Sequence, residues 1–126
     1  MIDFNNASFV KLKRVKDDVF ESMITPFLVN NEKILYSFKA MRDGVVFTNF
    51  RIIAINVQGV TGKKIDFSNL PYSKVQAFSV ETPGTFDLDS ELELWFSGLG
   101  KVKFEFSTKS DITPIFRLIG TYALSS

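Results

Sequence analysis

Short runs of alternating apolar and polar residues dominate the chain from residue 33 onwards. Alternation places every second side chain on one face of a strand, so the pattern predicts β-structure. Residues 91–96 are the clearest case, because Leu92, Leu94 and Phe96 point inward while the residues beside them point outward. The same reasoning predicts seven strands, over residues 33–40, 45–48, 51–57, 63–67, 74–81, 91–96 and 101–106.

Residues 8–25 show a different period. Leu12, Val15 and Val19 belong to a series of apolar residues that recur every three or four positions, which is the spacing of one helix face. This spacing predicts an N-terminal helix, which we assign to a helical extension over residues 1–30.

The C-terminal residues also have helical spacing. Ile112, Ile115 and Ile119 lie on one apolar stripe, and Pro114 falls in the first turn, where its missing N–H does no harm. We predict a closing amphipathic helix over residues 111–124.

These elements predict a mainly β protein, α+β by content. The strands follow one another as hairpins, which predicts a seven-stranded antiparallel two-sheet barrel or sandwich closed by the C-terminal helix. The chain has 126 residues, a length that suits one core. We assign the β domain to residues 31–126.

The composition limits the chemistry. The chain contains no cysteine and no histidine, which excludes disulfides, thiolate zinc sites and Ser-His-Asp triads. We therefore predict no catalytic residue, no metal site, no cofactor and no small-molecule substrate. The sequence shows neither a continuous membrane-spanning run nor a signal-peptide pattern, so we expect a cytoplasmic protein.

Charge disfavours some partners. The net charge is +1, and no basic face is interleaved with aromatic residues, so we predict no nucleic-acid binding. A membrane surface is a different matter, because a basic amphipathic helix can lie on anionic lipid. Against this, the first 30 residues carry four negative charges beside their four positive ones. The candidate lipid contacts are Lys11, Lys13, Arg14, Lys16, Lys39 and Arg42.

One loop has the oxygen ligands that calcium prefers. Asp87, Asp89 and Glu91 follow the spacing at the start of a calcium loop, but the glycine and the distant glutamate of such loops are missing. Capping and turn roles are the favoured interpretation of these carboxylates.

Five short motifs occur in a characteristic order. They are Arg42-Asp43; Phe47-Thr48-Asn49-x-Arg51; Gly59-x-Thr61-Gly62-Lys63-Lys64; Pro71-Tyr72; and Gly84-x-Phe86-Asp87-x-Asp89-x-Glu91-Leu92. Over residues 31–124 the chain resembles the bacterial pleckstrin-homology-like (PH-like) family. It departs from that pattern at Phe50, where members often carry a basic residue.

The resemblance implies a two-sheet PH-like fold with a C-terminal helix at one end. It also implies self-association, because members form ring-like homo-oligomers. It implies no particular biochemical activity, since one fold can host many functions.

The motif residues also have a structural interpretation. Thr48 and Asn49 suit a tight turn, because their side chains bond to nearby backbone. Arg51 is expected to pair with Asp43 across the hairpin, while Gly59 and Gly62 shape the next turn. The alternative is a surface loop that grips a ligand or a neighbouring subunit.

Some apolar residues fall on faces that should be polar. Leu35 shares a strand face with lysines, and Trp95 shares a strand face with glutamates. Strand 51–57 is apolar on both faces: Ile52 and Ala54 lie on one face, and the residues that alternate with them lie on the other. The second face is expected to be covered by the N-terminal helix or by another subunit. We take Leu35, Ile52, Ala54 and Trp95 as residues of an oligomer interface or of contacts between elements.

Three hypotheses follow. The first is a non-enzymatic PH-like module that self-associates, with a ring as the expected form and an unidentified protein as a further partner. The second is a peripheral binder of anionic membrane lipids. The third is an enzyme or ligand carrier that relies on carboxylates alone.

Overall fold

A computed structural model describes residues 1–4, 9–86, 88–107 and 111–125. Its strands are β1 (Phe9–Val15), β2 (Ile34–Ala40), β3 (Asp43–Thr48), β4 (Arg51–Gln58), β5 (Lys64–Pro71), β6 (Val75–Glu81), β7 (Ser90–Phe96) and β8 (Gly100–Phe106). Its α-helices are α1 (Glu21–Ile24) and α2 (Thr113–Ala123), with 3₁₀ turns at Thr25–Phe27 and Tyr72–Lys74.

The strands form one curled sheet, a half-barrel, in the order β5-β4-β3-β2-β1-β8-β7-β6. Neighbours are antiparallel except β1 and β8, which run parallel. The curl brings both halves of the sheet onto one core, where the rings of Phe38 and Phe106 meet edge to face at 4.8 Å between centroids. The predicted mainly β, PH-like fold with a closing helix is confirmed. The predicted two antiparallel sheets with seven strands are wrong, because the described strands form one eight-stranded sheet that contains a parallel pair.

The eighth strand is β1, where we predicted a helix, and that prediction is wrong. A bulge between Phe9 and Leu12, with Lys11 at φ 57°, lets both of these residues point into the core although they are three positions apart. A spacing of three within a bulged strand imitates helical periodicity. Because β1 lies between β2 and β8, residues 9–15 belong to the sheet and not to a separate extension.

Helix α2 closes the open end of the half-barrel. Ile112, Ile115 and Ile119 are buried in the main core, as their stripe predicts, and Pro114 lies in the first turn. Tyr122 near the helix end stacks on the buried Tyr72 at 6.0 Å between ring centroids.

A second, smaller core covers the outer face of β3 and β4. Phe20 and Ile24, from the short segment after β1, pack on Val46, Ile53 and Ile55. This segment therefore covers the second apolar face of β4, one of the two alternatives raised by the sequence. Gly44 makes room for it, because a Cβ there would lie 2.3 Å from the Phe20 ring.

Candidate interaction surfaces

A buried ion pair organises the β3–β4 hairpin. The Glu32 carboxylate, with no exposed side-chain surface, accepts hydrogen bonds from Arg51 Nε at 2.8 Å and from the Thr48 hydroxyl at 2.7 Å. A second Arg51 nitrogen lies 2.8 Å from the other Glu32 oxygen, which makes the pair bidentate. We refer to Glu32, Thr48 and Arg51 as the Glu32 node.

The ionised form of Glu32 is favoured. Burial alone raises the pKa of this carboxyl group, but hydrogen bonds from Arg51, Thr48 and the Val29 amide outweigh burial, and the Arg51 charge adds to them. The net effect is a pKa below the ordinary glutamate value. The carboxylate therefore stays charged and paired at neutral pH.

The remaining hairpin side chains bind backbone. The Thr48 hydroxyl accepts from the amides of Phe50 and Arg51, both at 3.0 Å. Asn49 accepts from the Lys33 amide at 2.8 Å, which ties the hairpin to the start of β2. The Tyr72 hydroxyl donates to the Thr48 carbonyl at 2.7 Å, and burial raises the pKa of this phenol. The bend is thus fixed by its own Thr48 hydrogen bonds, by the bond from the Lys33 amide to Asn49 and by the bond from Tyr72 to the Thr48 carbonyl.

The expected pairing of Asp43 with Arg51 is replaced by other contacts. Asp43 begins β3 opposite the far half of β4, where its carboxylate accepts from the Val57 amide at 2.9 Å. Arg51 begins β4 at the other end of the hairpin and binds Glu32 instead. Gly59 and Gly62 adopt φ of 78° and 68° in the next turn, a region that favours glycine.

The four predicted interface residues separate into two kinds. Ile52 and Ala54 are fully buried in the main core, so they make contacts between elements and offer no surface to another subunit. Leu35 and Trp95 keep part of their surface exposed. Leu35 lines an open cavity of about 380 Å³ beside α2, and Trp95 lies on β7 in register with Ala77 and Lys101.

The candidate lipid contacts on β1 have protein partners. Lys11 lies 2.6 Å from Asp89 and 3.9 Å from Glu105, two carboxylates of the neighbouring β7–β8 region. Arg14 pairs with Asp17 at 3.1 Å and stacks on the ring of Tyr36 at 4.8 Å.

The other basic residues lie elsewhere. Lys13 is exposed opposite Lys39 on β2, and Lys16 is exposed just after β1. Arg42 donates to the Gly59 carbonyl at 2.6 Å, which joins the β2–β3 and β4–β5 turns. The predicted set therefore spreads over several surfaces.

The described carboxylates of the Asp87–Asp89–Glu91 segment form ion pairs with lysines. Asp89 binds Lys11, Glu91 binds Lys103 at 3.1 Å, and Asp87 lies outside the described residues. Within the described ranges, no three acidic side chains come together in a way that would hold a metal ion.

An apolar patch at one edge of the sheet was missed by the sequence reasoning. Phe27 packs its ring on Phe67 at 5.0 Å between centroids, yet it remains 52% exposed. With Ile65 it lines an open cavity of about 500 Å³, whose other walls are the buried Ile53 and the polar residues Arg51, Asp66 and Asn69. We call Phe27, Ile65 and Phe67 the edge patch. Pro26, directly before Phe27, was the signal that Phe27 lies beyond the helix.

A second apolar surface lies between α2 and β6. It is a shallow groove of about 610 Å³, lined by Phe78, Thr113, Phe116, Arg117, Gly120, Thr121 and Leu124. Phe116 and Leu124 are exposed there, and the Phe116 ring lies 5.3 Å from that of Phe78. We call this surface the helix groove.

A third apolar feature occurs at two neighbouring hairpin tips. Met41 and Val60 are almost completely exposed, and the bond from Arg42 to the Gly59 carbonyl holds their turns together. The exposed Lys39, Lys63 and Lys64 flank them. In the described ranges, no helix has the length and apolar character that crossing a membrane requires.

Comparison with known proteins identifies the family. The profile of the bacterial PH domain matches residues 3–123. The uncharacterised protein YjqA of Bacillus subtilis is 38% identical over 121 residues, covering 94% of this chain and 93% of YjqA.

Two crystal structures show the same fold. A DUF1696 family protein with a pleckstrin-homology domain, from Shewanella loihica, is 36% identical with a TM-score of 0.79, covering 90% of this chain and 98% of that one. A pleckstrin homology domain from Shewanella amazonensis is 40% identical with a TM-score of 0.67, covering 95% and 94%. The chain belongs to the bacterial PH domain family.

Proposed function

We propose that this PH domain is a non-catalytic interaction module that self-associates through two different surfaces. The single observation that carries the proposal is the edge patch, where Phe27 is half exposed beside two other apolar side chains and a polar rim. Exposed apolar surface with such a rim is typical of protein–protein contacts.

The second surface is the region around Trp95. It lies on β7, next to one end of the sheet, whereas the edge patch lies on and beside β5 at the other end. A partly exposed tryptophan is a common interface anchor. A contact between two unlike surfaces is heterologous, and it closes into a ring when the rotation between subunits allows it.

Several buried polar groups are hydrogen-bonded within the fold, which supports a role without catalysis, whereas the buried Ser37 hydroxyl has no hydrogen-bond partner among the described residues. Glu32 and Thr48 bind each other, and Ser68 accepts from the Ile2 amide at 2.8 Å. The main core between the sheet and α2 is packed with apolar side chains. A carboxylate enzyme would need a cavity in which several unpaired acids converge. One open cavity of about 400 Å³ is lined by four acids, Asp17, Asp18, Glu21 and Glu32, but Asp17 is paired with Arg14 and Glu32 with Arg51.

The test compares variants by size-exclusion chromatography with light scattering. Phe27→Ser and Trp95→Thr each remove one surface, so each is expected to raise the dissociation constant of self-association at least about tenfold. Met41→Ser removes a more exposed apolar side chain at the β2–β3 hairpin, away from both surfaces, and is the control. Equal association of all four proteins would contradict the assignment of the surfaces.

Peripheral binding to anionic membranes is the second candidate, favoured by the hairpin tips. Met41 and Val60 would insert between headgroups while Lys39, Lys63 and Lys64 meet lipid phosphates. Met41→Asp is expected to lower co-sedimentation with phosphatidylserine vesicles about tenfold, and Phe27→Ser is the control. Wild-type binding that is absent, or that Met41→Asp leaves unchanged, would remove this candidate.

A further inference from the structure

The two edges of the sheet are built differently. β5 carries Lys64, Asp66 and Pro71, which are residues that discourage another strand from pairing. The N-terminus also lies along it: the Met1 amino group binds Asp66 at 2.9 Å, and the Ile2 amide donates to a serine of the same strand. The β5 edge is therefore protected against pairing with another strand.

The β6 edge has fewer of these features, with one charged residue, Glu81, at its end. Among the described strands β6 pairs only with β7, and residues 76–80 contain neither a charge nor a proline. A register shift occurs between Val75 and Ala77, but residues 77–81 continue in unbroken register. An edge strand directs alternate backbone N–H and C=O groups outward, so β6 presents a row of groups that another extended chain can bond.

The helix groove lies directly beside this edge. Phe78 of β6 forms one wall, and a face of α2 that is distinct from its buried stripe forms the other. At Gly120 the α2 backbone lies close to Phe78, because a Cβ built there would meet the ring at 3.8 Å, an ordinary contact distance.

The groove carries a positive charge. Arg117 is exposed on its wall and forms no ion pair with another described residue. An acidic side chain on an occupant would therefore find a partner here.

We propose that the helix groove binds an extended segment of a partner protein, which adds as a strand to β6, packs apolar side chains onto the exposed sides of Phe78 and Phe116, and places a carboxylate at Arg117. The β6 edge requires a ligand with an extended backbone, the apolar groove requires alternate apolar side chains, and Arg117 requires a negative charge. Strand addition to an exposed edge beside a pocketed surface is an established mode of peptide binding. The proposal goes beyond self-association and does not depend on it.

A second copy of the chain fits this edge less well. Its β5 edge carries charges, a proline and the N-terminal residues, which disfavour extension of the sheet from that side. Pairing of two β6 edges across a twofold axis would bring two like-charged Arg117 side chains towards one another, and each β6 would supply one carboxylate, that of Glu81.

The experiment begins with a displayed library of random peptides of about twelve residues, selected on the full-length protein. Selected peptides are synthesised with a fluorescent label, and their affinity is measured by anisotropy. We expect them to alternate apolar residues and to carry at least one acidic residue. Methylation of alternate backbone amides should weaken binding at least about tenfold, because it removes donors without removing side chains.

Two protein variants test the groove itself. Gly120→Leu fills it and Arg117→Glu reverses its charge, and each should weaken binding at least about tenfold. Gly120→Ala is the matched control, because a methyl group meets Phe78 at ordinary contact distance and leaves the groove open. Circular dichroism checks that each variant is folded.

Several results would overturn the proposal. The first is a selection that enriches no peptide. The second is a set of enriched peptides whose affinity does not change with Gly120→Leu, with Arg117→Glu or with amide methylation. A fall in oligomeric mass caused by Gly120→Leu would assign the groove to a second copy. Loss of association in Phe27→Ser with retained peptide binding separates this proposal from the proposed function.

Discussion

Replacing Glu32 by alanine is expected to lower the free energy of unfolding by about 3 kcal/mol, because it leaves the largely buried Arg51 guanidinium without its carboxylate. We place the value at the lower end for a broken buried pair, since Arg51 is 18% exposed and also donates to Asn69 and to the Phe27 carbonyl. The Thr48 hydroxyl also loses its shorter hydrogen bond and keeps only the Arg51 carbonyl, at 3.2 Å, as an acceptor. Urea unfolding at neutral pH measures the loss.

Glu32→Gln is the matched control, because it keeps the shape but loses the charge. The pKa of Glu32 is lowered in the folded protein, so the stabilisation by its carboxylate is present above the unfolded value of 4.5 and is lost as pH falls through the folded pKa. Wild-type protein should therefore lose more stability on acidification than Glu32→Gln does. Parallel profiles for the two proteins would show that the Glu32 node does not contribute in this way.

Leu12→Ala is expected to cost about 2–5 kcal/mol, because Leu12 is fully buried where β1 joins the two halves of the sheet. It lies in register with the buried Phe106, so truncation opens a cavity at the centre of the half-barrel. Val10→Ala, at a half-exposed position of the same strand, should change stability by less than about 0.5 kcal/mol. Chemical denaturation of both variants gives the comparison.

Lys11→Gly distinguishes a bulged strand from a helix. Lys11 has φ 57°, so glycine relieves an unfavourable conformation and offsets the loss of an exposed ion pair. In a helix the same change would cost about 1 kcal/mol. A clear destabilisation by Lys11→Gly, or a small effect of Leu12→Ala, would contradict the placement of β1.

The β-strands were predictable because their signal is local. Alternation after residue 33 gave six strands within about two residues of their bounds, and β5 extends further, to Pro71. The position of β1 was not predictable in this way. Its pairing with β8 joins residues almost 100 positions apart, and the bulge at Lys11 converts a strand period into a helical one.

The candidate sites were predictable only in part. Thr48 and Asn49 bind backbone because turn chemistry is also local. Glu32 was missed because its partner Arg51 lies across a strand pair whose register depends on the whole hairpin. The edge patch needed the packing of Phe27 on Phe67, which no spacing in the sequence indicates.

The central claim is that this domain acts by association, and its mass in solution tests the claim most directly. Light scattering and native mass spectrometry of the wild-type protein at micromolar concentration should give one defined species, at a whole-number multiple of the 14.3 kDa chain. A closed heterologous ring predicts that this multiple stays constant as concentration rises. A mass of 14.3 kDa throughout that range would contradict the account.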